Sequence, residues 1–287
     1  RFSNPIFTAS GCASSGQELS QFFSLTEIGA IVTKSIMTKP RTGRPTPRMA
    51  ETPSGMLNSI GLQGPGIDQF LAEDIPWLIA NNARVIVSIS GETIEEYASL
   101  ARKLRGVAGI SGIEVNISCP NVENRGLVFA CDPVASRAVV ESVRRNVGGE
   151  LPIIVKLSPD VTDIVSIAGE VISAGADGLA LINTLLGMAI DIDAMRPKLA
   201  GKTGGLSGPA IRPVAVRAIY QVHAAFKNTP ILCDGKPLCY VGSTKSQLQI
   251  DVWLANHPFY TKSQIIVDSE GRVERFMKKY QLTSTDE

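Results

Sequence analysis

A cysteine stands between two asparagines in the run Asn116-Ile117-Ser118-Cys119-Pro120-Asn121, where a short apolar stretch meets a proline. Gly112-Ile113-Glu114-Val115 ahead of it is apolar and β-branched like a buried strand, and Pro120 has no N–H to give to a ladder, so the strand must end there. Cys119 is thereby expected at the C-terminal end of a strand. Parallel α/β folds carry their reactive side chains at such ends, and flanking carboxamides there can orient a flat polar substrate. The bland alternative is a thiol that packs as a small buried hydrophobe.

Further polar residues are expected at strand ends. Lys34 closes the second predicted strand and Lys156 the fifth, Asn183-Thr184 close the sixth, and Asn58 opens Asn58-Ser59-Ile60-Gly61-Leu62-Gln63. A barrel would gather these ends on one face, so residues far apart in sequence would converge on one anionic, amide-rich ligand beside an electron-rich ring system. Taken singly, the lysines are compatible with snorkelling surface groups and the asparagines with loop caps. Gly204-Gly205-Leu206-Ser207-Gly208, ahead of a Pro209-led helix, resembles an anion-binding turn. Cys12, Cys131, Cys233 and Cys239 lack metal-ligand spacing and read as structural, as does His223 on a helix face, so no metal site is expected.

The elements that must position these groups are short strands alternating with helices. Seven strand starts can be counted: Pro5–Ala9, Ala30–Thr33, Val85–Ile89, Ile113–Ile117, Ile153–Leu157, Gly178–Ile182 and a beginning at Pro230. Thr93 and Glu96 predict a capping box ahead of Ile94, Tyr97, Ala101 and Leu104, which recur at helical spacing. Asp132-Pro133 is a second helix start, and Gly175 a left-handed cap after Val161–Ala174. Such βα repetition implies parallel strands joined by right-handed crossovers.

Composition is that of a globular chain of 287 residues, 44% hydrophobic and 19% charged. A net charge of +1 argues against a domain-wide nucleic-acid face. Five cysteines without scaffold spacing suggest reduced thiols and a cytoplasmic setting, and there is no 18-residue apolar run to span a membrane. After Leu232 the pattern changes to a tight-turn signal, Cys233-Asp234-Gly235-Lys236, then alternating strand-like stretches and a charged end, which sets a boundary at 232/233.

Residues 1–232 resemble the dihydroorotate dehydrogenase family, the FMN enzymes of pyrimidine synthesis. The resemblance is carried by Thr8-Ala9-Ser10-Gly11, Thr33-Lys34-Ser35, Glu51-Thr52-Pro53 through Gln63, Asn116–Asn121, Val155-Lys156-Leu157-Ser158-Pro159, Ile182-Asn183-Thr184 and Gly204–Pro209. Cys119, where the membrane-bound class has serine, and the run Asn183–Met188 resemble the soluble class that passes electrons to NAD through an FAD and iron–sulfur partner subunit, and a homodimer is implied with it. The family fold is a (β/α)8 barrel, here lacking its last one to two strands.

The resemblance implies that a base takes a proton from carbon 5 of dihydroorotate as a hydride leaves carbon 6 for the flavin. Cys119 would be that base, a thiol whose ordinary pKa of about 8.5 must be poised for proton transfer near neutral pH. Substrate contacts would come from Lys34, Asn58, Ser59, Ile60, Gly61, Leu62, Asn116, Asn121, Asn183 and Thr184. Flavin contacts would come from Ser10, Lys34, Ser35, Ser88, Asn116, Lys156, Ile182 and Gly208, with Ser88 standing where close relatives usually carry asparagine.

The two glycine turns that hold the flavin phosphate in the family do not follow Pro230-Ile231-Leu232. Residues 233–287 instead resemble large-subunit ribosomal protein L thirty-one, through Cys233-Asp234-Gly235, Gly242-Ser243-Thr244-Lys245, Asn256–Thr261 and Val267–Phe276. That resemblance implies rRNA contacts by His257, Lys262, Arg272, Arg275, Lys278 and Lys279, without zinc. Two incomplete families abutting with no linker read as a hybrid chain.

Overall fold

The computed structural model describes residues 2–118, 129–149 and 151–226, with the backbone of 231–232. Cys119, Asn121 and the whole segment 233–287 lie outside the described residues. In chain order the elements are β1 Ile31–Val32, β2 Met49–Thr52, β3 Gly55–Asn58, α1 Ile67–Gln69, which passes through a π turn Phe70–Asp74 into α2 Ile75–Ala80, β4 Val85–Ile89 and α3 Ile94–Leu104. There follow β5 Ile110–Asn116, α4 Pro133–Val147, β6 Ile153–Lys156, α5 Ile164–Ser173, β7 Gly178–Ala180, β8 Leu185–Met188, β9 Ile190–Asp191, β10 Arg196–Pro197, β11 Thr203–Ser207, α6 Arg212–Ala225 and β12 Ile231–Leu232.

One sheet runs in the order β1-β4-β5-β6-β7-β12, every pair parallel. Phe7 is bridged in parallel to Ala30 just before β1, which adds the first segment at that edge. All seven predicted strand starts thus fall on adjacent positions of one α/β barrel wall, with α3, α4, α5 and α6 as the crossovers after β4, β5, β6 and β7. Side chains alternate across it. Val85, Val87, Ile89, Ile113, Val115, Ile153, Val155 and Leu179 belong to the large core shared with the helices. Ala30, Val32, Ile86 and Ile154 form a second, smaller cluster on the other face. Both faces are buried, which is why these strands read as continuous apolar runs.

Local signals set the helix starts. Asp132 accepts from the N–H groups of Val134 and Ala135 at 2.8 and 3.3 Å with Pro133 in the first turn, a cap worth about 1 kcal/mol. Gly175 has φ +103° at the end of α5, a region open to glycine at no cost. The capping box at α3 needs correction. Thr93 Oγ1 accepts from Glu96 N at 3.2 Å, but the Glu96 carboxylate accepts from Glu92 N at 2.7 Å instead of from Thr93. Tyr97, Ala101 and Leu104 are buried as expected, whereas Ile94 in the first turn is 40% exposed.

A second, antiparallel sheet runs β2-β3-β11-β8, pairing Asn58 with both Met49 and Gly205, and Gly205 with Leu186. Its strands leave the barrel after the C-terminal ends of β1 and β7, so it stands on the same side as the predicted polar groups. The sequence pattern did not predict it, and it overturns one expectation. Gly204–Ser207 is strand β11, not an anion-binding turn; only Gly208, at φ +93°, turns the chain into Pro209.

Candidate functional site

On the inner face, strand register stacks the polar groups in a layer above the small apolar cluster. Ser88 lies opposite Glu114, Glu114 opposite Ile154, and Asn116 opposite Lys156. These residues share the parity of Ile86 and Ile154, so the side chains that follow those two toward the strand ends are polar. Lys156 is 9% exposed and Glu114 4%. Burying a charge is costly unless polar groups surround it, as they do here.

A cavity of about 470 Å3 opens over this layer. It is lined by Ser10, Lys34, Ser35, Asn58, Ile60, Gly61, Leu62, Asn116, Lys156, Asn183 and Thr184, all of them predicted site residues. Six chain segments therefore meet at one place. Gly11, at φ +86°, passes close to Lys34; a Cβ there would lie 3.5 Å from its Nζ. Asn58 donates from Nδ2 to Gly205 O at 3.3 Å, which ties β3 to β11 across the sheet. Asn183 donates from Nδ2 to Ser118 Oγ at 2.8 Å and to Ser118 O at 3.2 Å, while its Oδ1 accepts from Thr184 N at 2.8 Å.

Four predicted residues stand elsewhere. Ser88 lies fully buried beneath the cavity, where its Oγ meets Ser10 Oγ at 3.1 Å, Ser35 Oγ at 2.9 Å and Glu114 Oε1 at 2.8 Å. Ser59 is fully buried behind the loop and accepts from Arg44 Nη1 at 3.4 Å. Ile182 lines a smaller interior cavity of about 70 Å3 with Thr8, Glu114 and Lys156. Gly208 is exposed at the end of β11 and is absent from the lining. Met49, Met56 and Ser207 do line the cavity unforeseen, because they come from the antiparallel sheet. Cys12, read from sequence as structural, is exposed and also lines it. Glu114 does leave a signal in the sequence, a single carboxylate inside an otherwise apolar strand.

Asp160, just beyond β6, accepts from Leu186 N through both carboxylate oxygens at 3.1 and 3.2 Å and so fixes β8 to the barrel. Burial raises its carboxyl above the ordinary range, with the Leu186 bond pulling the other way. Cys131 is exposed but leans on Asp160 O at 3.8 Å. Partial burial, then the charge of Asp160, push its thiol up. Among the described residues no group of three or more His, Cys, Asp or Glu is placed to hold a metal ion, and no helix is long and apolar enough to cross a membrane.

Fold and cavity together define an α/β barrel with a polar-lined cavity at the C-terminal ends of its strands. The chain belongs to the dihydroorotate dehydrogenase family, a family of oxidoreductases, whose model matches residues 1–235. Among its relatives is the protein named dihydroorotate dehydrogenase B (NAD(+)), catalytic subunit, of Geotalea daltonii, 53% identical over 232 residues, or 81% of this chain and 75% of the relative. Proteins of the same name from Geobacter sulfurreducens and Desulforudis audaxviator are 52% and 51% identical, over 78% and 77% of this chain and 73% and 72% of theirs. Residues 220–281 are also similar to ribosomal protein L thirty-one. The two matches overlap at 220–235, which includes the end of α6 and all of β12.

Proposed function

We propose that this chain is the catalytic subunit of an FMN-dependent dihydroorotate dehydrogenase of the NAD-linked kind, oxidising dihydroorotate to orotate with Cys119 as proton acceptor. The observation that carries the proposal is the convergence of Lys34, Asn58, Asn116, Lys156, Asn183 and Thr184 on one cavity of about 470 Å3. That volume falls within the roughly 300–1,000 Å3 of small-molecule and cofactor sites.

The donor set fits a flavin ring. Lysine ammonium groups, carboxamides and hydroxyls are what a flat heterocycle bordered by carbonyl oxygens and ring nitrogens requires, and the 9% exposed Lys156 supplies positive charge from the barrel interior. Ser10, Lys34, Ser35, Asn116 and Lys156 would hold FMN, which when bound supplies the hydride acceptor. Lys34, Asn58, Asn116, Asn183 and Thr184 would hold the carboxylate and imide edges of the substrate. Fixing both reactants in register contributes much of the rate. Ser118, the residue before Cys119 in sequence, is anchored to both Asn116 and Asn183, two of the residues that would hold the substrate. Ile60, Leu62, Met49 and Met56 add apolar side chains to the lining.

The relatives' designation as catalytic subunits supports a separate partner subunit; that it transfers electrons through FAD and an iron–sulfur cluster is what we infer from the family resemblance. A homodimer is the assembly we infer. The match over 220–281 supports a second reading for the tail, a ribosomal-protein-like segment; a join at 232/233 and rRNA as its partner are what we infer with that reading.

The test is the flavin spectrum of the purified chain, with and without FMN added, and its change on titrating orotate. A yellow chain whose spectrum shifts with orotate is expected. Cys119→Ser should then lower dihydroorotate oxidation at pH 7 by about a hundredfold or more while flavin content stays constant. A chain that neither takes up FMN nor responds to orotate, but sediments with large ribosomal subunits, would replace the enzyme reading with the second one.

A further inference from the structure

We infer that Glu114, which does not line the larger cavity, is a positioning residue that fixes the orientation of the Asn116 carboxamide through two serine hydroxyls. The chain of contacts is continuous. Asn116 Nδ2 lies 2.9 Å from Ser35 Oγ, Ser35 Oγ lies 2.9 Å from Ser88 Oγ, and Ser88 Oγ lies 2.8 Å from Glu114 Oε1. Ser10 Oγ joins Ser88 from the side at 3.1 Å. All but Ser10 are at least nine-tenths buried.

The direction of every bond follows from the ends. A carboxylate can only accept, so the single proton of Ser88 goes to Glu114. In the contacts with Ser88, the hydroxyls of Ser35 and Ser10 are then the donors; Ser10 Oγ also lies 3.3 Å from Ser35 Oγ, longer than the 2.9 Å from Ser35 to Ser88, so the shorter contact takes the Ser35 proton. With its own proton spent, Ser35 is left with lone pairs toward Asn116 and can meet only a donor, the Nδ2 amide. At the other end of the carboxamide, Ser118 offers a backbone N–H at 3.2 Å and its Oγ–H at 2.9 Å. Those require an acceptor, Oδ1. An obligate donor on one side and, relayed by two hydroxyls, an obligate acceptor on the other therefore specify the same rotamer.

The chemical consequence lies in what remains. Both Ser118 contacts use Oδ1, and one Nδ2 proton goes to Ser35, so the second Nδ2 proton is the hydrogen-bonding group Asn116 keeps for the cavity. It selects a ligand that presents an acceptor oxygen there, a carboxylate or a ring carbonyl. This last step rests on the function proposed above; the orientation itself does not.

The test uses the full chain with 15N-labelled asparagine side chains. Asn116→Ala identifies the Asn116 NH2 resonance pair by its loss. Glu114→Met removes the acceptor at similar volume, and Glu114→Gln keeps one acceptor oxygen. We expect Glu114→Met to shift the Asn116 pair and speed its exchange with water, Glu114→Gln to stay close to the parent, and both to hold in the absence of any ligand. With orotate as probe, Glu114→Met should weaken binding about tenfold in the parent background and not at all when Asn116 is already alanine. An Asn116 pair that is the same in Glu114→Met and the parent overturns the inference. A shifted pair with no orotate binding by any variant leaves the orientation standing and sinks the proposed function instead. Should Glu114→Met fail to fold, Ser88→Ala breaks the same relay one step nearer, with the same two outcomes.

Discussion

A Cβ atom on Gly205 would stand 2.0 Å from Thr184 Oγ1 and 2.6 Å from Thr184 Cβ, so the Thr184 side chain occupies the space an alanine would need. Thr184 leads from the barrel into β8, Gly205 lies on β11 beside it, and Asn58 bonds to the Gly205 carbonyl from the other flank. One glycine thus lets three cavity-bearing segments close on each other. Its backbone is extended, so the restriction is steric and falls on the neighbour.

Gly205→Ala should therefore cost about 1–3 kcal/mol, as overpacking in a tight site does, and should displace Thr184 from the cavity. Thermal unfolding and orotate affinity both decline. Adding Thr184→Gly should recover the melting temperature but not the affinity, because the space returns while the hydroxyl does not. A Gly205→Ala chain that melts and binds like the parent would show that β11 and Thr184 do not meet in this way.

Asp160 makes stability depend on pH in a direction opposite to most carboxylates. Its folded pKa is raised by burial, so between the unfolded value of about 3.9 and the raised folded value the folded state binds more protons than the unfolded one. Stability contributed by this group is accordingly present at low pH and lost as pH climbs through that window, after which it is level. Asp160→Asn keeps an oxygen for Leu186 N and removes the titration. The melting temperature of the variant relative to the parent should rise from pH 4 to pH 7. A difference independent of pH would refute the assignment to Asp160.

The barrel was legible in the sequence because its strands are buried on both faces, and runs such as Ile153–Lys156 end abruptly at a polar residue. That same break announces Lys34, Asn116, Lys156 and Asn183 as strand-end groups, and the parallel topology alone suffices to bring them together. The antiparallel sheet left no comparable trace. Met49–Thr52 and Leu185–Met188 are half exposed, and the bond between Asn58 and Gly205 joins residues 147 positions apart. No local pattern encodes such a pairing. Gly205 is ambiguous in sequence for the same reason: glycine can mean a turn or a close approach, and only the neighbour decides. The role of Glu114 depends on facing Ser88 across two strands, which neither strand reveals alone.

Tyr97 separates support of the fold from service to the ligand. Its hydroxyl donates to Asn116 O at 2.8 Å from a position 1% exposed, and its ring meets Phe129 edge-on at 5.9 Å. Tyr97→Phe removes the donor and keeps the ring. Ser90 Oγ still reaches the same carbonyl at 3.4 Å, so the loss should be about 1 kcal/mol, or roughly 2–4 °C in melting temperature for a domain of this size. The Asn116 side chain is held independently, by Ser35 at one end and Ser118 at the other. Orotate affinity should consequently stay within about twofold of the parent, since each separate bond contributes its own modest energy. A fall in affinity larger than the fall in stability would mean that the backbone of Asn116, and not the two-sided clamp on its amide, governs what the cavity presents to its ligand.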